Sequence, residues 1–230
     1  MTSVDPQKEF RYSQQILAFR DILQKFEWSE PLQRILVLGC GNGLEAGYMH
    51  HLMGAQVYGI DIEKDFHPWG QKNGKMSNYY CGRLPFHDGF FDAVYSYHVL
   101  EHVKDVPFVL SEVRRVVRPN GVVYVGVPNK SRLIGYMGMN DKSMYRKLRQ
   151  NIKDLLKRIK GEWDNALGAH AGFREDELSG LLGEQFTRVV PVTKYYYSAK
   201  WSKYDRLLRW IEKLSLDKIV VPSVYVLASD

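Results

Sequence analysis

The stretch Arg34-Ile-Leu-Val-Leu-Gly-Cys-Gly-Asn-Gly43, running into Leu44-Glu-Ala-Gly-Tyr-Met-His-His-Leu-Met53, decides the fold. Ile35 to Leu38 is an apolar run with no polar alternation, the pattern of a strand buried on both faces of a parallel sheet. Gly39, Gly41 and Gly43 then let the backbone turn tightly and approach a ligand, and the helix expected over 44–53 would aim its first amides at whatever lies above the turn. A second strand, Gln56-Val-Tyr-Gly-Ile60, ends at Asp61, where a carboxylate is placed to accept both hydroxyls of a ribose. A tight turn with a capping Asp is the plain structural alternative. The dinucleotide fingerprint GxGxxG would put its third glycine at Leu44, so NAD is disfavoured but stays open on spacing alone, and the GK[ST] of a phosphate-binding Walker loop is missing.

Working outward, strands alternate with helices. Asn78-Tyr-Tyr-Cys81 reads as a third strand and Phe90 to Ser96 as a fourth. A helix over 106–117 should stop at Arg118-Pro-Asn-Gly121, before a fifth strand over 122–127. A helix from about Ser13 to Lys25 precedes the first strand; a helix at 174–182 and strands at 187–192 and 220–227 complete the chain. The pattern predicts an α/β fold with right-handed crossovers. No linker, repeat or low-complexity tract divides residues 1–230, so one domain is expected, with an N-terminal helix at about 10–26, a basic helical insertion at about 130–165 and an aromatic, basic helical segment at about 194–215.

Among the 230 residues, 45% are apolar and 25% charged, an ordinary globular balance. No apolar run approaches the roughly 20 residues that cross a bilayer, and the polar opening Met1 to Phe10 lacks the apolar core of a secretion signal. Two cysteines, Cys40 and Cys81, make no disulfide framework, and no spacing of Cys or His suggests a metal site. The cytoplasm is the expected compartment. The net charge of +6 is concentrated: residues 129–160 carry ten basic and two acidic side chains, a net +8 that leaves −2 for the remainder.

Five segments in order resemble the class I S-adenosylmethionine-dependent methyltransferases, of the domain 11/12 type. They are Ile35-Leu-Val-Leu-Gly-Cys-Gly-Asn-Gly43, Tyr58-Gly-Ile-Asp61-Ile62, Leu84-Pro-Phe-His-Asp-Gly-Phe-Phe-Asp92, Tyr95-Ser-Tyr-His-Val-Leu-Glu-His-Val103 and Glu112-Val-Arg-Arg-Val-Val-Arg-Pro-Asn-Gly121. The resemblance implies a Rossmann-like sandwich, a mostly parallel seven-stranded sheet with an inserted helical cap. It implies S-adenosyl-L-methionine as cofactor and S-adenosyl-L-homocysteine as product. Gly39, Cys40, Gly41 and Gly43 would lie under the cofactor's amino-acid end, Asp61 would hold the ribose, and Ile62 would pack on adenine. Many members have an Asp before Leu-Pro-Phe; here Tyr80-Cys-Gly-Arg83 stands there, so backbone atoms around Cys81 and Gly82 would meet adenine, with Arg83, Leu84 and Tyr97 also bordering the cofactor.

Methyl transfer is an in-line displacement whose main requirement is positioning, and a hydroxyl acceptor gains from a general base. His98, just past strand four, and His170, in Ala169-His-Ala-Gly-Phe173, are the candidates, with structural histidines as the alternative reading; Glu101-His102 reads as a structural pair. The Asn/Asp-Pro-Pro-Tyr/Phe motif of nucleobase and glutamine methylation is replaced by Ser96-Tyr-His-Val99, which favours an oxygen or carbon of a small-molecule, glycan or lipid-linked acceptor. Met144, Leu148, Ile152, Leu155, Leu156 and Ile159 recur at helical spacing among basic residues. Three readings fit them: a cap that buries the stripe, a peripheral contact with an anionic membrane, and, with no motif in support, nucleic acid. Tyr195-Tyr-Tyr197 and Trp201 could stack on an acceptor or simply pack.

Overall fold

The computed structural model describes residues 6–28, 31–79, 82–133, 135, 143–166, 170–200, 210, 211, 213, 214 and 216–230. Their order is α1 (Pro6–Lys25), β1 (Arg34–Leu38), α2 (Leu44–Met53), β2 (Gln56–Asp61), α3 (Pro68–Asn73), β3 (Lys75–Asn78), β4 (Phe91–Tyr97), a 3-10 turn (Leu100–His102), α4 (Val106–Val116), β5 (Val117–Pro128), α5 (Met144–Ile159), α6 (Glu175–Gly183), β6 (Arg188–Pro191), α7 (Thr193–Lys200), a short helix (Asp217–Val220) and β7 (Ser223–Ser229). The seven strands form one sheet in the order β3-β2-β1-β4-β5-β7-β6, parallel except for β7, which runs antiparallel between β5 and β6. This is the mostly parallel seven-stranded sandwich expected from the motifs.

Each central strand is apolar on both faces because helices cover both. Ile35 and Val37 point into a core shared with Ile16, Phe19 and Ile22 of α1 and Met49 of α2, while Leu36 and Leu38 point into one shared with Leu110 and Val113 of α4 and Leu178 and Leu182 of α6. On the first side, Tyr95, Tyr124 and Tyr225 stack across β4, β5 and β7 at ring separations of 5.4 and 5.8 Å, and Tyr196 of α7 closes the pile 3.8 Å from Tyr225. Tyr197 binds Ser223 through its hydroxyl, and Tyr195 sits edge-on to Phe26. The three consecutive tyrosines therefore pack, and stacking on an acceptor is not their role. Trp201 lies outside the described residues, as do Tyr80 and Cys81; the third strand itself ends at Asn78, earlier than Cys81.

Two of the methyltransferase-like motifs, 84–92 and 112–121, turn out to be fastenings. Asp92 accepts hydrogen bonds from the amides of Gln33 and Arg34 (2.8 and 2.7 Å) and from Arg118 Nε (2.8 Å), pinning the start of β1 to β4 and β5. Burial pushes that carboxyl up, but these donors together hold it below its ordinary value. Glu112 and Arg115 of α4 pair at 2.6 Å. Arg115 also donates to the carbonyls of Leu84 and Phe86 and to Asp88, so the 84–92 segment is clamped by the very helix whose end carries the next motif.

Candidate active site

β2, β1 and β4 are neighbours, with chain order reversing between β1 and β4, the place where open α/β sheets form ligand crevices. Gly39, Gly41 and Gly43 all take positive φ, at 70°, 52° and 81°. Space adds to the demand at Gly39, where a Cβ would come within 2.1 Å of Val99 Cγ2. A Cβ on Gly41 would meet nothing within 4 Å, so the loop leaves free room in front of it. The Gly41 amide donates to Asp61 Oδ2 at 2.6 Å and the Glu63 amide to Oδ1 at 2.9 Å. Each carboxylate oxygen keeps a lone pair for a further donor. Ile62, next along, is 65% exposed, an apolar surface beside that carboxylate. These residues fit a nucleoside: donors to Asp61, an apolar rest for a base, and space above the loop. Cys40 contributes backbone only, since its side chain is buried and burial, with the charge of Asp61, pushes its thiol up to about 12.

On the expected adenine side, Cys81 lies outside the described residues and Gly82 is exposed at φ 98°. Arg83 reaches away to Asp88 at the surface (3.6 Å). Leu84 is buried in the core and its amide is taken by Glu112 Oε2 at 2.7 Å. The structure therefore brings Asp61, Ile62 and the glycines together, engages the Leu84 backbone in the Glu112–Arg115 clamp and pairs the Arg83 side chain with Asp88. Tyr97 closes β4 half-buried, its ring 4.2 Å from that of His98.

Beyond β4 the chain turns sharply: His98 has φ 56° and its amide donates to Gly126 O. The His98 ring is engaged on both nitrogens, Nε2 with Ser223 Oγ (3.1 Å) and Nδ1 beside Glu101 Oε1 (3.5 Å). Glu101 also lies 3.9 Å from His102 Nε2, and the His102 and His170 rings meet edge to face at 4.7 Å. The residue set aside in the sequence as a structural pair is thus the hub of the cluster. Three ionisable side chains within five residues, directly after a buried strand, were the signal available for it. Glu101 is 4% exposed and its Oε2 is buried without a hydrogen-bond partner. Burial pushes its carboxyl up to about 7, against the opposing pull of Arg132. His102 is held below its ordinary value by burial and by the neighbouring His170. Glu101, His102 and His170 line a cavity of about 1020 Å³ together with Lys130, Phe173 and Glu177. Arg132, itself buried, fixes the His170 loop by donating to the carbonyls of His170 (3.1 Å) and Ala171 (2.9 Å).

Residues 36–125 match the Methyltransferase domain family. The ubiquinone biosynthesis O-methyltransferase of Thiobacillus denitrificans is 29% identical over 202 residues, covering 80% of this chain and 83% of the relative. The protein of the same name from Dechloromonas aromatica is 28% identical, with 90% of each chain covered. Among solved structures, a SAM-dependent methyltransferase from Aquifex aeolicus superposes with a TM-score of 0.54 at 15% identity, covering 98% of both chains. The phosphoethanolamine N-methyltransferase 2 of Haemonchus contortus, in complex with S-adenosyl-L-methionine, gives 0.56 at 17% identity, with 94% of this chain and 52% of that one covered. The nicotinamide alternative falls with these likenesses. By its motifs, its strand order and its relatives, the chain is an S-adenosylmethionine-dependent methyltransferase, with the Methyltransferase domain at residues 36–125.

Proposed function

We propose that the enzyme methylates a hydroxyl oxygen of a small-molecule, glycan or lipid-linked acceptor bound in the cavity beside Glu101. The observation that carries this reading is the buried Glu101 carboxylate with two imidazoles at the cavity wall, a proton-accepting group of the kind an oxygen nucleophile needs and a sulfonium donor cannot supply. The relatives' names, which specify O-methylation, point the same way.

S-adenosylmethionine brings a methyl group on a positively charged sulfur, open to displacement. The glycine loop would support its amino-acid end, Asp61 would accept the ribose hydroxyls on the lone pairs left by Gly41 and Glu63, and Ile62 would face the adenine. His102, kept neutral by burial and by His170, takes the acceptor's proton on an imidazole nitrogen. Glu101, 3.9 Å away, stabilises the imidazolium that forms. His98, with both nitrogens engaged, acts through Glu101 as a positioning residue, and His170 completes the wall of the acceptor site.

Labelled methyl transfer from S-adenosylmethionine to alcohols and phenols, set beside amines of matching skeleton, tests the reading. Label should enter the hydroxyl series, and His102→Ala should lower kcat about 100-fold while leaving S-adenosylhomocysteine affinity unchanged. Asp61→Ala should weaken that affinity by roughly 1–3 kcal/mol. Transfer confined to amines would overturn the oxygen assignment, and unaltered calorimetric affinity in Asp61→Ala would remove the ribose contact.

A further inference from the structure

Helix α5 is mounted with its polar side against the protein. Asn151 exchanges hydrogen bonds with both the amide and the carbonyl of Gly135 (2.7 and 3.1 Å). Arg158 donates to the Arg132 carbonyl, and Asp154, only 7% exposed, faces the Arg132 guanidinium at 3.9 Å. Trp163 lies against both guanidinium groups, 5.0 Å from Arg132 and 4.3 Å from Arg158. The side facing solvent carries Met144, Leu148, Ile152, Leu155, Leu156 and Ile159, each between 49% and 74% exposed. At roughly 100° per residue they occupy an arc of about 120°. The reading of α5 as a cap that buries its stripe is therefore overturned: the stripe is outside. A helix normally buries such a face, and large apolar patches on a protein surface mark interaction sites.

We propose that this face of α5 docks on a bilayer surface bearing anionic headgroups. Charge selects the occupant. The acidic side chain of α5, Asp154, is turned inward, so the outer surface pairs an aliphatic strip with exposed Arg146, Arg149 and Lys153. The whole 129–160 segment carries a net +8. A second copy of the chain would set one basic helix against another, and nucleic acid would leave the aliphatic strip without a partner. An acyl layer topped by negative headgroups satisfies both halves at once, with the helix lying in the interface plane. The docked helix adjoins the reaction cavity: Arg132, which receives α5 through Asp154 and Arg158, holds the carbonyls of His170 and Ala171. The inference goes beyond the proposed reaction and stands without it.

Co-sedimentation of the full chain with phosphatidylcholine vesicles, with and without phosphatidylglycerol, tests it. Binding should require phosphatidylglycerol, weaken as salt is raised, and fall at least tenfold in Leu148→Glu/Leu155→Glu. That variant should keep the wild-type melting temperature and its rise with S-adenosylhomocysteine, because both side chains are already exposed. Equal vesicle binding by variant and wild type, or by neutral and anionic vesicles, would overturn the proposal. So would failure to bind vesicles combined with a dimer in ultracentrifugation that the variant abolishes, which would assign the stripe to a second copy. Absence of the S-adenosylhomocysteine response in both forms would count against the methyltransferase site alone.

Discussion

At the β1–β2 edge, the backbone closes on itself around one carboxylate, whereas at α5 a helix is held to the body by a few polar side chains with its aliphatic face outward. The first region is constrained locally: three positive-φ glycines and an Asp at the end of the neighbouring strand leave few other arrangements. The second is constrained only by distant partners, Gly135 and Arg132, which could as well have met the other side of the helix. Precision is thus concentrated where a small ligand must be gripped, and the exposed strip where a broad, deformable surface would be met.

The sharpest test of how the α5 region is held lies at the loop that follows α5 and packs against the end of β5. Gly172 has φ 80°, and a Cβ there would fall 1.7 Å from the Pro128 carbonyl oxygen. Gly172→Ala should cost on the order of 3–5 kcal/mol in denaturant unfolding, near the upper end for a single substitution. Preserved stability would mean that the His170 loop is not held as described. A medium effect is expected at Glu101. Its folded carboxyl titrates near 7 and the ordinary value is 4.5, so the folded chain keeps the proton longer than the unfolded chain does. Stability from this group is therefore full below about pH 4.5 and lost as pH rises to about 7, by about 3 kcal/mol. Glu101→Gln should remove that slope when unfolding is compared at pH 5 and 7; an unchanged slope would show that the carboxyl is not buried as placed. The smallest effect belongs to the other region: Ile159→Ser, at a residue 74% exposed, should alter stability by about 0.5 kcal/mol or less, measured by the same unfolding. A loss of several times that would mean the stripe packs on the body after all.

Much of the first region was legible in the sequence, because unbroken apolar strands and glycines at fixed spacing have few physical alternatives. Asp61, Ile62 and Gly41 could be placed before any coordinates. The 84–92 motif was legible as a resemblance but not in its work: only the packed structure reveals that Arg115 binds its carbonyls and Glu112 takes the Leu84 amide, which engages both backbone polar groups of Leu84 within the fold. His98 and His170 were picked for lying after a strand and beside the sheet edge. That His98 meets Glu101 and His170 meets His102 depends on a 3-10 turn at 100–102 and on Arg132, and spacing alone shows neither. The periodicity of α5 announced two unlike faces without saying which one the body would take.

The tyrosine pile on the sheet ties the molecule to alkaline pH. Tyr95, Tyr124 and Tyr225 are fully enclosed, and burial first of all, then neighbouring tyrosines and, for Tyr95 and Tyr124, Glu45, raises their phenols well above the ordinary 10. A phenolate is strongly disfavoured there while β4, β5 and β7 stay packed, so losing those protons is coupled to loosening the sheet. Base thus attacks this enzyme through its interior, and ultraviolet absorbance of phenolate becomes an optical gauge of whether the central strands remain together.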